Sequence, residues 1–287
     1  MTNSKVWFVT GASKGLGLTL IKKLRSNGYR VAATSRSAAS LIKEVGDISD
    51  TFFPVEMDVT SDQHVKEVID KTVSHFGTID VVVNNAGFGQ IGTLEELSDE
   101  EARNSFDVNV FGCLNVIRHT TPILRKQGSG HIFNISSIGG YLGNFPGFGV
   151  YCSTKFAVAG FTEALAEEMK GFGVSVTLVY PGYFRTNFLS KGSIKTPADP
   201  IAAYETARES EQAHLDQIDG NQPNDPGKAV EVLIEVSEQE TPLVHLFLGK
   251  DAYHYAGVKM ERIQAEMAGN ERLGTSTDIM DETESIQ

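Results

Sequence analysis

Short, nearly continuous apolar runs alternate with amphipathic stretches through the first 180 residues of the chain. Val6 to Thr10, Tyr29 to Thr34, Phe52 to Met57, Ile79 to Val83, Ile132 to Ile135 and Val174 to Val179 have the length and the β-branched or aromatic content of strands. Between the first two, Leu16, Leu20, Ile21 and Leu24 recur at helical spacing, and Gly28 closes that helix. Val65, Val68, Ile69, Thr72 and Val73 mark another helix. Strands that are apolar at successive positions must be covered on both faces, and parallel strands joined through helices cross over right-handed. The expected architecture is therefore α/β: a doubly wound parallel sheet flanked by helices on both faces.

The pattern changes after about residue 185. Asn187 to Asn224 lacks strand runs, carries Pro197, Pro200 and Pro223, and is helical around Ala202 to Gln217. Pro226 opens a further helix through Val230, Leu233 and Ile234, Leu243 to Leu248 reads as a last strand, and Asp251 to Ala268 as a last helix. Asn270 to Gln287 holds five acids and one arginine and reads as a frayed acidic tail. The expectation is one domain over 1–287, with a core over about 1–185, a helical loop insertion over about 186–225 and the tail over about 270–287.

Composition removes several classes of function. Lys and Arg total 25 against 37 Asp and Glu, a formal charge of −12, so no basic excess exists to neutralise a nucleic acid. Cys113 and Cys152 are far apart, which excludes a disulfide framework and a thiolate zinc cluster. His64, His75, His119, His131, His214, His245 and His254 show no metal-ligand spacing, so no metal is expected and no histidine is assigned to a site. No stretch approaches the ~18 continuous apolar residues of a membrane span, and the first residues lack a signal-peptide core. A cytoplasmic globular protein without membrane contact is the expectation.

An anionic ligand must then be held by backbone N–H groups and a few placed cations. Thr10 to Gly17 follows the first strand and opens the first helix, with glycines at 11, 15 and 17. That context lets a pyrophosphate approach the backbone at a helix N-terminus. The second strand ends Thr34-Ser35-Arg36-Ser37, without the carboxylate that usually binds an NAD ribose. Arg36 there and Lys14 in the loop favour the 2′-phosphate of NADP(H).

Tyr151 and Lys155 stand one helical turn apart, and an ammonium beside a phenol lowers its pKa from about 10 toward the range useful for proton transfer. Ser136-Ser137 ends a strand 14 residues before Tyr151, Asn84-Asn85-Ala86-Gly87 follows the fourth strand, and Asn109 lies in the helical stretch Asp107 to Gly112. Together with Pro181-Gly182 and Thr186, these motifs, in this order over about residues 5 to 190, resemble the short-chain dehydrogenase/reductase family in its compact, Rossmann-type form.

The resemblance implies an NADPH-dependent carbonyl reductase, reversible to alcohol oxidation. Tyr151 would be the general acid/base, Ser137 would stabilise the substrate oxygen, Lys155 would lower the phenol pKa and hold the nicotinamide ribose, and Asn109 would position a relay water. Gly11, Ser13, Gly15, Leu16 and Gly17 would surround the cofactor phosphates and ribose. Asp58 and Val59 would meet the adenine, Asn85, Ala86 and Gly87 the adenine-side ribose, and Thr186, after Pro181 and Gly182, the carboxamide. The style is similar to 17β-hydroxysteroid dehydrogenase-like members. An NADP-dependent hydroxysteroid-type alcohol dehydrogenase and a non-catalytic NADP-sensing regulator are the alternatives, and a homodimer or homotetramer through Asn109–Gln127 and Tyr151–Lys170 is implied.

Cys152 is expected to turn away from the site by about 100° on its helix, and Glu163, Glu167 and Glu168 to form a solvated face. Half of the aromatics Tyr141, Phe145, Phe148, Tyr183, Phe184 and Phe188 are expected to line an apolar pocket for bulky or aryl carbonyls.

Overall fold

A computed structural model describes residues 4–190 and 192–279. The buried tetrapeptide Val6–Val9 forms β1, and the glycine-rich turn after it feeds α1 (Gly15–Ser26). Next come β2 (Arg30–Ser35), α2 (Ala38–Val45), β3 (Phe52–Glu56), α3 (Asp62–Phe76), β4 (Val81–Asn84) and the short β5 (Gly89–Gln90). A capping box between Ser98 and Glu101 starts α4 (Asp99–Phe106), which passes through a π-helical turn (Asp107–Phe111) into α5 (Gly112–Gln127) and then β6 (Gly130–Ile135). A 3₁₀ turn (Ile138–Gly140) precedes α6 (Gly149–Lys170), β7 (Val174–Pro181) and β8 (Ile194–Lys195). The chain ends with α7 (Glu205–Gln212), a second π-helical segment (Ala213–Ile218), α8 (Pro226–Ser237), β9 (His245–Leu248) and α9 (Lys250–Thr275).

Seven strands pair in the order β3-β2-β1-β4-β6-β7-β9, every pair parallel. The period of two along each strand divides the core into two layers. Trp7, Val9, Val31, Ala33, Val81 and Val83 pack with Leu20, Ile21 and Leu24 of α1 and Val230 and Leu233 of α8. Val6, Phe8, Ala32 and Val82 face the other way, onto Val65, Val68 and Ile69 of α3, Val116 and Leu124 of α5 and Leu165 of α6. Each such side chain contributes roughly 1.5–3 kcal/mol when fully buried. β1 pairs with β2 on one side and β4 on the other, so the connections leave its neighbourhood in opposite directions and open a crevice at the carboxyl ends of the strands.

Three details depart from the sequence expectation. The segment after Asn187, expected to lack strands, contributes β8, which pairs with β5 through Gly89↔Ile194 and Gln90↔Lys195. A two-residue strand leaves no periodic signal and exists only through its partner. Helix α2 was not foreseen, because eight residues carry too few turns of apolar spacing. Helix α9 does not end at Ala268 but runs to Thr275, since no proline interrupts it, so the first part of the supposed tail is helical. Residues 280–287 of that tail lie outside the described residues.

Candidate active site

The turn from β1 to α1 forms one end of a cleft of about 450 Å³ along the carboxyl edge of the sheet. Gly11 has φ of +63°, and a Cβ there would stand 2.7 Å from the Ala86 Cα. A Cβ on Gly17 would meet the Asn85 amide nitrogen at 2.6 Å and the Gly11 carbonyl at 2.7 Å. Bare backbone is thus required at both places, the first for conformation and approach, the second for packing of α1 onto the sheet. Helix α1 carries no acidic residue in its first turn, which leaves its N-terminal dipole free to favour an anion. Asn85 ties the neighbouring strand in, donating its side-chain amide to the Thr10 and Gly11 carbonyls at 3.0 Å, while Thr10 Oγ1 accepts from the Asn85 and Ala86 N–H groups.

Ser13, Lys14, Gly15 and Leu16 line this end with Arg36, Asp58, Val59, Ala86 and Gly87. Arg36 is exposed at the end of β2, where Ser35 replaces any carboxylate. Burial, and then repulsion from Arg36, lower the Lys14 ammonium from its ordinary value. The two cations are close enough to repel, so an anion between them relieves both. Lys14 also donates to the Gly192 carbonyl at 2.7 Å, a bond to the segment beyond Thr186 that the sequence reading did not contain. The carboxylate of Asp58 accepts from its neighbour Thr60 at 3.0 and 2.8 Å.

At the other end stand Tyr151 and Lys155, both on α6, and Ser137 at the turn after β6. Ser137 caps the 3₁₀ turn after β6 and accepts the Gly139 N–H at 3.1 Å. Tyr151 is buried in the first turns of α6. Lys155, one turn on, lies with Nζ 5.9 Å from the Tyr151 ring centre and donates to the Ile135 carbonyl at 3.0 Å. Burial pushes the Lys155 ammonium down to about 8. Burial likewise pushes the Tyr151 phenol up, and a hydrogen bond with Ser137 opposes that rise. The expected net lowering of the phenol is therefore not seen: at this distance Lys155 does not offset the loss of hydration.

Asn109 and Gly17 do not face the cleft. Asn109 is buried behind it, where the π-helical turn admits one extra residue and brings its side chain to Phe88. Its amide accepts the Phe88 N–H at 3.0 Å, donates to the Phe88 carbonyl at 3.0 Å and to Thr154 Oγ1 at 3.1 Å. It thus braces the backbone at Phe88, and its side chain makes no hydrogen bond to Lys155.

Pro181, Gly182 and Thr186 leave β7 along the cleft wall. Asp251, in the first turn of α9, holds this turn: its carboxylate accepts the Tyr183 N–H at 2.6 Å and the Asn224 amide at 2.7 Å, and Asn224 donates to the Tyr183 carbonyl at 2.9 Å. Phe145, Phe148, Tyr183, Phe184 and Phe188 all line the cleft, whereas Tyr141 packs on Tyr180 and Phe247 away from it. Five of the six aromatics thus face the cavity, against an expectation of half. Two further expectations are corrected. Cys152 does not turn away; its buried side chain bounds the cleft, because α6 presents two adjacent residues to a wall curving around it. His214, to which no site was assigned, also lines the cleft, with Gln222. Neither carries a sequence signal, since both are brought in by the helical insertion. Among the described residues no cluster of His, Cys, Asp or Glu can hold a metal ion.

The insertion is anchored at Glu96, whose side chain is fully buried. Its carboxylate accepts the Thr93 N–H at 2.8 Å, the Ile201 N–H at 2.7 Å and the Arg208 guanidinium at 2.7 Å. Burial pushes this carboxyl up, but the Thr93 and Ile201 N–H groups and Arg208 outweigh it and hold the pKa below its ordinary value. A folded-state pKa below the unfolded one gives stabilisation that is complete above the ordinary carboxylate range and is lost as pH falls through the folded value. Hydrogen-exchange protection factors across 197–222, which divide out the intrinsic slowing of exchange in acid, should therefore fall on acidification from pH 6 to pH 3. In Glu96→Gln protection should be low already at pH 6 and nearly flat with pH.

The short chain dehydrogenase family profile matches residues 5–196. The oxidoreductase BOA17 of Botryotinia fuckeliana (strain B05.10) is 35% identical over 264 residues, 91% of this chain and 95% of the fungal one. A short-chain dehydrogenase from Streptomyces avermitilis superposes with a TM-score of 0.87 at 34% identity, covering 96% of this chain and 100% of that one. A short chain dehydrogenase from Burkholderia cenocepacia J2315, solved with NADP, has a TM-score of 0.70 at 26% identity and covers 93% of this chain and 98% of its own.

Proposed function

As a chain that belongs to the short-chain dehydrogenase family and is an oxidoreductase, this protein is one that we propose to be an NADPH-dependent reductase of aldehydes and ketones, reversible to alcohol oxidation. One observation carries the reading: a phenol, a hydroxyl and an ammonium converge at one end of a cleft whose other end is bare glycine backbone flanked by two cations. The Burkholderia cenocepacia relative, solved with NADP, supports the choice of ligand.

The turn fits a pyrophosphate, because Gly11 and Gly15 bring bare backbone to the cleft at the N-terminus of α1, whose first turn carries no acid, while Gly17 lets the helix pack close behind them. Ser13, Leu16, Ala86 and Gly87 would border the riboses, Asp58 and Val59 the adenine, and Thr186 the carboxamide, with Lys14 and Arg36 at the 2′-phosphate. The bound dinucleotide supplies the hydride in reduction and takes it up in oxidation. Tyr151 keeps its proton at neutral pH, since burial pushes it up, and can give that proton to a carbonyl oxygen. Ser137, which lines the cleft beside the same phenol, would steady the charge developing on that oxygen. Lys155 holds a ribose and, with a pKa brought to about 8, can pass a proton toward Tyr151 near neutrality. Asn109 keeps the Phe88 backbone in place beside it.

A homodimer or homotetramer through α5 and α6 belongs to the same reading, as does a cytoplasmic location. Phe111, at the head of α5, is 53% exposed, which suits a covered face. No described helix is long and apolar enough to cross a membrane.

The test is NADPH and NADH consumption across a panel of aldehydes and ketones. Aryl and other bulky ketones should be reduced faster than small aliphatic ones, with NADPH at least ~10-fold more efficient than NADH, the ratio one charge-assisted phosphate contact supplies. Equal efficiency with both nucleotides removes the assignment of Lys14 and Arg36.

A further inference from the structure

The walls around Tyr151 are aromatic, but Tyr183 and Gln222 each bring a polar group to the lining, and each has an oxygen able to accept. His214 Nδ1 lies 2.7 Å from the Ser210 carbonyl, four residues back on the same helix. A carbonyl oxygen only accepts, so Nδ1 carries the hydrogen. Burial pushes the His214 pKa below its ordinary value and so favours the neutral ring, whose Nε2 is then an acceptor. Nε2 is 2.9 Å from the Tyr183 hydroxyl, which must therefore donate to it. What Tyr183 presents to the cleft is an oxygen with lone pairs and no hydrogen left to give.

Gln222 adds a second acceptor, with one of its two amide hydrogens engaged by a neighbour. Its Nε2 is 3.4 Å from the Asp219 carboxylate, an obligate acceptor, which fixes the amide the right way round. Its Oε1 is buried and has no hydrogen-bond partner among the described residues, although Gln222 is only 2% exposed and lines the cleft. A buried, unpartnered amide oxygen is costly unless something donates to it.

Both side chains are held firmly. The Tyr183 backbone is clasped by Asp251 and Asn224, Arg185 donates to the Gln222 carbonyl at 3.1 Å, and the His214 ring packs 4.6 Å from Phe148, centre to centre. Phe148 in turn meets the Tyr151 ring edge-on at 6.3 Å, so the acceptors belong to the chamber that holds the phenol.

We infer that Tyr183 and Gln222, with His214 as the positioning residue for Tyr183, select carbonyl substrates that have an apolar or aryl body and a hydrogen-bond-donating substituent, such as a hydroxyl, away from the reacting carbon. The inference rests on the carbonyl-reductase reading for which group reacts, but not for what the wall recognises. Methoxy substituents, which only accept, and carboxylates, which are repelled by two acceptor oxygens, are disfavoured.

The test compares hydroxyaryl ketones with their methoxy and carboxy counterparts, the substituent being moved around the ring. The best hydroxyaryl ketone should exceed its methoxy counterpart in kcat/KM by about tenfold, the loss expected when a buried acceptor goes unpaired. In Gln222→Leu that ratio should fall toward one. In His214→Leu the Tyr183 hydrogen is released, so the ratio should fall and the methoxy compound should gain. Calorimetric binding of the same compounds reads the preference without turnover. Nitrogen-15 shifts of His214 should show the neutral ring protonated at Nδ1 at neutral pH. If no ketone is reduced but hydroxyaryl compounds still bind better, the reductase reading fails and this inference stands. Equal binding and equal kcat/KM for hydroxyl and methoxy forms, or an Nε2-protonated His214, overturns it.

Discussion

Tyr151→Phe lowers ketone turnover by at least ~100-fold while NADPH binding stays within about twofold, the lower bound for loss of a positioned proton donor. The two effects separate because the hydroxyl and the nucleotide cradle sit at opposite ends of the cleft, on different elements: the phenol on α6, the glycines between β1 and α1. The ring itself is retained, so its packing on Phe148 and Phe188, at 6.3 and 6.1 Å between centres, survives the change. Ser137 keeps its bond from the Gly139 N–H in the variant, so the change disturbs the turn after β6 little. Single-turnover kinetics with a fluorescence titration of NADPH reads both quantities. Turnover within tenfold of the parent protein rules out the phenol as the proton donor.

The double variant Lys14→Ala/Arg36→Ala lowers kcat/KM with NADPH by about 100-fold, taking ~1.5 kcal/mol for each lost charge-assisted phosphate bond, and changes the value with NADH less than threefold. Both side chains reach the cleft from segments whose backbones are held independently. The Ala12 N–H donates to the Thr34 carbonyl at 2.9 Å, which fixes the loop against β2 whatever stands at 14 and 36. Because Arg36 and Lys14 are both exposed, their contributions are screened and should shrink at high salt. Lys14→Ala also frees Gly192, so the single Arg36→Ala variant, which leaves that bond intact, separates phosphate recognition from loop position. A double variant that still prefers NADPH tenfold places the specificity elsewhere.

The legible parts of the molecule are those that local chemistry dictates. Val6–Val9 is buried at every position and reads as a central strand because no other element tolerates such a run after a short polar start. Gly11 and Gly17 are legible as a phosphate turn because strand precedes and helix follows. Tyr151 and Lys155 are legible as a pair through the helical period, but their electrostatics are not: hydration lost on burial depends on what folds over α6, and it reverses the expected direction for the phenol. Asn109 is legible through its place in the ordered set of motifs, whereas the π-helical turn that aims it at Phe88 leaves no mark in residue spacing. His214 and Gln222 were invisible for a different reason. Their place is set by an anchor over a hundred residues away in sequence, Glu96 with Ile201 and Arg208, and no periodicity reports a contact of that range.

The clasp of Asp251 on Tyr183 has a consequence for biosynthesis. A nascent chain that has emerged as far as residue 240 already owns six of the seven strands of the large sheet and every glycine of the first turn. It has no carboxylate to secure the bend after β7, because that group arrives only with the opening turn of the last helix. On the ribosome, the nucleotide half can therefore mature ahead of the chamber that discriminates among substrates, and that chamber acquires its shape only in the final stage of synthesis.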